Sequence, residues 1–272
     1  MKNLAAVIID TYPNKGLAIN AIHMAKRMPF INAIYTFSDE PFFQDAIFIK
    51  IAKIKSNNEY GQVIFDSLLE HINETHFFII QWDGFPLFPQ FWNEDFLNYD
   101  YIGAPIDGWV GNGGFSLRSK KLLRVCRNLK IHIDQTDPID QPEDQIICNK
   151  NRALLESNGI KFAPIELARR FSYQSGPLDN QIFGFHSPEN LPFFFPERDL
   201  ISVANEIIER IPQPLIMLGF LANCKKVNFS MLFKACVTDY LTKPNLMKAI
   251  HYEMDTNPNS KFLELIKAFN KV

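Results

Sequence analysis

The chain has 272 residues, 47% of them hydrophobic and 21% charged, which is the composition of a folded globular protein rather than a disordered or fibrous one. That length accommodates one large domain, or one domain with an appendage. A net charge of −2 removes the electrostatic reason to expect nucleic acid as a partner, while an anionic small molecule remains compatible if dipoles or a metal offset its charge.

Leu4-Ala5-Ala6-Val7-Ile8-Ile9 is an unbroken apolar run stopped by Asp10-Thr11 and a Pro13-Asn14 turn, and it reads as a buried strand. The run is too short for a signal peptide's apolar region, and no other stretch is long enough to span a bilayer, so a cytoplasmic protein is expected. Ala18, Ala21, Ile22, Ala25 and Met28 fall at helical spacing and predict a helix over 15–28. Ala33-Ile34-Tyr35-Thr36-Phe37, closed by Ser38-Asp39, is a second strand. Strand, helix, strand at this spacing is a βαβ unit and implies a parallel sheet with a right-handed crossover. Phe48-Ile49-Lys50-Ile51 reads as a third, shorter strand, and 63–72 as a helix. Phe77-Phe78-Ile79-Ile80 then runs straight into Gln81-Trp82-Asp83-Gly84, the mark of a strand buried on both faces and ended by a turn. Ligands gather outside the carboxyl ends of such strands in open α/β sheets, which puts Asp83 at the candidate site.

Residues 96–107 read as a loop and strand around Tyr101-Ile102-Gly103-Ala104-Pro105, and Phe115-Ser116-Leu117 as another strand. Ser119 is placed to cap a helix over 120–129. Pro142 opens a helix with Ile146, Ile147, Leu154 and Leu155 on one side, ended by Asn158-Gly159. Ile160-Lys161-Phe162-Ala163 follows as a strand. Beyond this the pattern changes to helical periodicity over 199–210, 214–223, 229–241, 245–254 and 260–271, with no fixed period that would define a repeat. A boundary near Pro196 therefore divides an α/β core, 1–196, from an all-helical appendage, 197–272. Cys126, Cys148, Cys224 and Cys236 form no C-x-x-C pair and read as buried free thiols. Most of the 25 Phe lie in periodic apolar segments, where core packing is their expected role.

Few residues combine chemistry with placement. An Asp83-Gly84 turn after a strand needs no function when taken alone, since both residues favour tight turns. Gly111-Asn112-Gly113-Gly114 either permits unusual backbone angles or lets something approach closely. It is not a dinucleotide fingerprint, because a strand and not a helix follows it. Glu143 and Asp144 after Pro142 suit the dipole of a first helical turn; equally, two carboxylates there can supply a general base and an acceptor clamp. His186, in Ile182-Phe183-Gly184-Phe185-His186-Ser187, is either a structural histidine or a neutral metal ligand.

In this order the segments resemble glycosyltransferases of the GT-A fold. They are most similar to a family of bacterial and fungal proteins with Q-W-D-G-F, here at 81–85, Y-D-Y-I-G-A-P at 99–105, V-G-N-G-G-F-S-L-R-S at 110–119 and P-E-D at 142–144. Phe162-Ala163-Pro164 and Phe183-Gly184-Phe185-His186 complete a match over roughly the first 190 residues that leaves out the helical tail. The resemblance implies a Rossmann-like mixed sheet flanked by helices. It makes Asp83 the last position of a D-x-D motif that holds a divalent metal, Mn2+ or Mg2+, on a sugar-nucleotide diphosphate, with His186 completing the coordination. Asp144 matches the base of inverting members, and Glu143 beside it the acceptor binder. Trp109, Gly111, Asn112, Gly113 and Gly114 would line the acceptor and donor sugars. Asp10, Thr11, Thr36, Ser38 and Asp39, with Gln81, Trp82 and Asp83, would receive the nucleotide.

Where that pattern has its first acid, this chain has Gln81. A neutral amide does not offset a cation's charge, so metal binding is expected to be weak, water-mediated or absent. The resulting expectation is an inverting glycosyltransferase that moves a sugar from a UDP-linked or similar donor to a hydroxyl acceptor, such as a glycan. Two alternatives remain. One is a sugar-nucleotide or glycan binder of the same fold without turnover. The other is a metal-dependent nucleotide phosphohydrolase, which would release phosphate or nucleotide equally well without acceptor.

Overall fold

The computed structural model describes residues 4–106, 108–134, 141–211 and 213–240; the helices expected over 245–254 and 260–271, and the end of that over 229–241, lie outside them. The chain divides into two compact units, Met1–His186 and Ser187–Val272.

The first unit opens with β1 (Leu4–Ile9), α1 (Gly16–Lys26), β2 (Ile31–Ser38) and β3 (Ile47–Lys50). The helix expected over 63–72 is two pieces, α2 (Asn57–Asp66) and α3 (Leu68–His71). The start was hidden in a polar run. The Ser56 hydroxyl accepts from Glu59 N–H at 3.1 Å, and the Glu59 carboxylate accepts from Lys55 N–H at 2.6 Å, so two polar side chains fix the first turn. β4 (His76–Ile80) follows, then β5 (Gly84–Pro86), two 3-10 turns, β6 (Tyr101–Gly103), β7 (Pro105–Ile106), β8 (Trp109–Val110) and β9 (Ser116–Ser119). The Ser119 hydroxyl caps α4 (Lys120–Asn128) by accepting from Leu122 N–H at 3.0 Å, as its position promised.

The helix expected after Pro142 is instead α5 (Glu143–Gln145), a π-helical turn over Ile146–Lys150 and α6 (Arg152–Ser157). Gly159 ends it in the left-handed region, φ +79°. The strand expected over 160–163 is reduced to one bridge, Phe162 beside Tyr101. α7 (Ile165–Phe171), β10 (Ser172–Tyr173) and β11 (Gly184–His186) complete the unit.

The main sheet has the order β3-β2-β1-β4-β9-β6. β3, β2, β1 and β4 are parallel to one another, and β9 is antiparallel to β4 and to β6. The result is a mixed, mostly parallel sheet with helices, as the βαβ pattern implied. β4 is buried on both faces because its side chains alternate between two cores. Phe77 and Ile79 join Val7, Phe37, Ile64 and Leu68 on one side. On the other, Phe78 stacks on Phe115 and Phe171, with centroids 6.1 and 6.3 Å away, and Phe183 tilts against it at 6.0 Å. Full burial of such a side chain is worth about 1.5–3 kcal/mol, so this layer helps to fix the strand that leads into the Asp83 turn.

A smaller sheet, β10-β11-β5, lies outside the central one in the topology, and β7 and β8 form a two-stranded hairpin. In the second unit a 3-10 turn over Pro188–Asn190 precedes α8 (Leu191–Phe194), α9 (Glu197–Ser202), α10 (Ala204–Arg210), α11 (Pro214–Lys226) and α12 (Ser230–Tyr240). The helix expected over 199–210 breaks at Val203. Met217, Phe220, Leu221 and Cys224 form the buried face of α11. All four cysteines are free and buried. Among the described residues, no helix is long and apolar enough to cross a membrane.

Candidate functional site

The glycine run forms the centre of the site, and its glycines serve close approach. None of Gly111, Gly113 and Gly114 takes a positive φ. Instead, each has a neighbour where a side chain would begin. A Cβ on Gly111 would lie 1.7 Å from Trp109 Cζ3, one on Gly113 2.6 Å from Glu143 Oε1, and one on Gly114 2.0 Å from His186 Nε2 and 2.6 Å from Gln81 Oε1. Both roles open for the run in the sequence are thus narrowed to one, close approach.

On the Gly113 side the contacts are tight. Asp144 Oδ2 accepts from Gly113 N–H at 2.8 Å, and Asp144 Oδ1 from Gln145 N–H at 2.7 Å. The Gly113 carbonyl accepts from Ser116 Oγ at 3.0 Å and from Arg118 Nη2 at 3.2 Å. Arg118 is fully buried, donates to Ser116 Oγ through Nε at 2.9 Å, and pairs with Glu143 Oε1 at 2.6 Å. Its guanidinium lies 5.1 Å over the Tyr101 ring, whose hydroxyl donates to the carbonyls of Gly111 and Asn112. The Asn112 side chain closes the loop by accepting from Gly114 N–H at 3.1 Å.

This wiring changes the picture of the acidic pair. Glu143 is 5% exposed and its carboxylate is committed to Arg118, so it sits beneath the loop and not in the open. Asp144 keeps part of its surface. Burial and the neighbouring Glu143 charge push its carboxyl up to about 7, against the pull of the Gly113 and Gln145 N–H groups and of Arg118.

On the Gly114 side three side chains converge more loosely. His186 Nε2 is 3.3 Å from Gln81 Oε1 and 3.8 Å from Asp83 Oδ2. His186 Nδ1 is 2.9 Å from Gln174 Oε1, and burial lowers the histidine's pKa, which favours a neutral ring. Gln81 Nε2 also donates to Tyr60 Oη at 3.0 Å. One carboxylate, one imidazole and one amide oxygen make a mixed donor set with a single negative charge. Among the described residues, no group of three or more His, Cys, Asp or Glu is arranged to hold a metal. Trp82 stands between Gln81 and Asp83 in the turn, half-buried.

At the carboxyl ends of β1 and β2 the expected donor residues separate into two sets. Thr36 and Ser38 are fully buried and have no surface to offer a ligand. Asp10 and Asp39 lie around Lys15, which sequence reasoning passed over as the first residue of a helix. Lys15 Nζ donates to the Asp10 carbonyl at 2.9 Å and lies 3.3 Å from Asp10 Oδ1 and 3.8 Å from Asp39 Oδ1, with only 8% of the residue exposed. Thr11 Oγ1 accepts from Ile54 N–H at 2.9 Å. Tyr60, Arg118 and Gln174 were also missed. A charged residue alternating with small polar ones in S-L-R-S looks solvent-facing until its partner Glu143 is found across the fold.

No curated protein matches the sequence. Among solved structures the chain is similar to CMP:2-keto-3-deoxy-manno-octonic acid synthetase complexed with CTP, with a TM-score of 0.37 and 11% identity over 60% of this chain and 89% of that one. It is also similar to the mannosyltransferase PcManGT from Pyrobaculum calidifontis in complex with GDP-Man and Mn2+, with a TM-score of 0.42 and 9% identity over 98% of this chain and 79% of that one. A family model described as "protein of unknown function (DUF5672)" matches residues 44–186, more than half of the chain. That span contains Gln81, Asp83, the glycine run, the acidic pair and His186, and by this match the chain belongs to the DUF5672 family.

Proposed function

We propose that the chain is a glycosyltransferase that moves a sugar from a nucleotide-diphosphate donor to a hydroxyl acceptor with inversion, using Asp144 as general base. The observation that carries this reading is the adjacency of Gly113 and Gly114. One glycine binds the raised carboxylate of Asp144, and the next touches His186 and Gln81. A base and a cation-type donor set thus stand one peptide apart, which is the separation in role that displacement of a diphosphate by a hydroxyl requires.

In this mechanism an Asp144 oxygen accepts the proton of the acceptor hydroxyl as its oxygen attacks the anomeric carbon. The bond from that carbon to the diphosphate oxygen breaks, and the departing diphosphate takes the electron pair. A single in-line displacement inverts the anomeric centre. A carboxyl raised to about 7 is a stronger base than an ordinary aspartate and is still substantially ionised near neutrality. Arg118 and Glu143 hold the loop and the acidic turn in place, so Glu143 acts as a positioning residue in this reading rather than as the acceptor clamp.

Asp83, His186 and Gln81 fit a divalent ion whose remaining ligands come from the donor's phosphates, since such ions commonly take one or two carboxylates plus substrate oxygens. When bound, the ion would offset charge developing on the departing diphosphate. Asp10, Thr11, Lys15 and Asp39 are proposed to meet the nucleotide.

The test is a thermal-shift screen of UDP-glucose, UDP-galactose, UDP-N-acetylglucosamine and GDP-mannose with and without manganese, followed by turnover. A shift with at least one donor and acceptor-dependent release of nucleoside diphosphate are expected. Release that is equally fast without acceptor would make the chain a phosphohydrolase. A shift with no turnover of any kind would make it a binding protein.

A further inference from the structure

The small sheet brings Gln174, His186 and Asp83 to one end. His186 ends β11 opposite Gly84, the residue after Asp83, and β10 runs parallel to β11 with Tyr173 beside Phe185. Gln174, next along the chain, therefore meets His186. From there the chain leaves the sheet through 175–182 before returning into β11, and this excursion, with α7, walls a cleft of about 880 Å³. That volume is within the range of small-molecule sites, roughly 300–1,000 Å³.

The walls are braced by the backbone. The Tyr173 hydroxyl donates to the Gly176 carbonyl at 2.9 Å, Gly176 turns the chain with φ +90°, and Asp179 Oδ1 accepts from Gln181 N–H at 2.9 Å. Among the described residues, the charged side chains of the lining are Arg169 and Asp179, one of each sign. The amides of Gln174, Asn180 and Gln181 add further polar groups. With no excess of positive charge among its described residues, the wall gives a nucleotide or phosphate no electrostatic gain. It suits a neutral polyol, because the exposed amides of Asn180 and Gln181 each carry both donors and an acceptor to match neighbouring hydroxyls.

We propose that this cleft binds a neutral saccharide, and that the saccharide is the acceptor of the transfer. Its role as acceptor rests on the glycosyltransferase reading; its binding in the cleft does not. Gln174 is the link between the two, since it lines the cleft and touches His186.

The experiment is saturation-transfer NMR on the full chain with maltose, cellobiose, lactose and α-1,2-mannobiose in turn, and with inorganic phosphate followed by its phosphorus signal. At least one disaccharide is expected to receive saturation, and phosphate is not expected to compete with it. Asn180 and Gln181 are exposed, so the double variant Asn180→Ala/Gln181→Ala should keep the wild-type melting temperature. It should also weaken the disaccharide at least about 10-fold, the scale of one lost hydrogen-bonded group. The proposal is overturned if none of the four binds, if the double variant binds as well as wild type, or if phosphate displaces the sugar. Saccharide binding in a chain that turns over no nucleotide sugar would remove the transferase reading and support the cleft. Transfer with an acceptor KM unchanged in the double variant would remove the cleft and keep the transferase.

Discussion

On the Gly113 side of the glycine loop, Asp144, Ser116, Arg118 and Glu143 are joined by contacts of 2.6, 2.8, 2.9, 3.0 and 3.2 Å. On the Gly114 side, His186 stands 3.3 Å from Gln81 and 3.8 Å from Asp83. The first set is a finished structure: a buried cation, its counter-ion and a backbone carbonyl hold one another, and Asp144 inherits its position from them. The second is joined by that longer hydrogen bond and a wider carboxylate–imidazole approach, and in the proposed reaction it is the side that the donor completes. A general base gains from being held before substrate arrives, whereas a set that shares an ion with the donor's phosphates is completed only by the donor.

The largest expected effect breaks the finished side chemically. Asp144→Asn should lower transfer about 10²–10⁴-fold, the usual contribution of a general base, while the donor-induced thermal shift persists. Full transfer in that variant, with a donor–acceptor pair already established for wild type, would remove Asp144 from the mechanism.

Arg118→Met breaks the same side structurally. It strands Glu143 as a buried carboxylate with its partner gone, which typically costs about 3–5 kcal/mol. Urea unfolding should show the loss, and Arg118→Met combined with Glu143→Gln should recover part of it. A single variant as stable as wild type would mean that the pair does not hold the loop.

The open side should respond more gently. In Asp83→Asn the fold should survive and donor binding should lose its manganese dependence. For wild type, a donor present at about 100 times its Kd stabilises by about 2.7 kcal/mol, and it is the manganese-dependent share of that shift that should vanish. His186→Ala should act in the same direction. An unchanged manganese effect in both would leave Asp83 as a turn residue and His186 as a structural histidine.

A last effect is on stability against pH. The Asp144 carboxyl is raised from 3.8 to about 7 in the folded chain, so the folded state holds that proton more tightly than the unfolded state. Its contribution is complete below about 3.8 and lost as pH rises through about 7. Relative to Asp144→Asn, wild type should therefore lose stability between about pH 4 and 7, read as a steeper fall in unfolding midpoint. A parallel pH course for the two chains would contradict the raised carboxyl.

Much of the scaffold was legible in the sequence, for a physical reason. Leu4 to Ile9 and Phe77 to Ile80 are apolar without interruption because both faces of the central strands are covered, and a polar residue anywhere along them would have been stranded. Asp83, at the end of such a strand, could be placed for the same reason. What escaped were residues whose roles depend on distant partners. Arg118 is invisible until Glu143, 25 positions on, reaches it. Lys15 reads as a helix residue until Asp10 and Asp39 enclose it. The small sheet was missed because β5, β10 and β11 have only two or three residues each, too few for alternation to show. The helix after Pro142 kept an apolar side by composition, but the π-helical turn over Ile146–Lys150 interrupts its periodicity in a way that no spacing of residues announced.

The most direct test of the account is the titration of Asp144 itself, followed by carboxyl carbon NMR in protein labelled at aspartate and assigned with Asp144→Asn. The expected midpoint is near 7, reflecting burial and the neighbouring Glu143 charge. A midpoint in the ordinary aspartate range, about 4, would mean a solvated carboxylate that merely ties down the glycine loop, and would contradict the assignment of Asp144 as a base prepared by its surroundings.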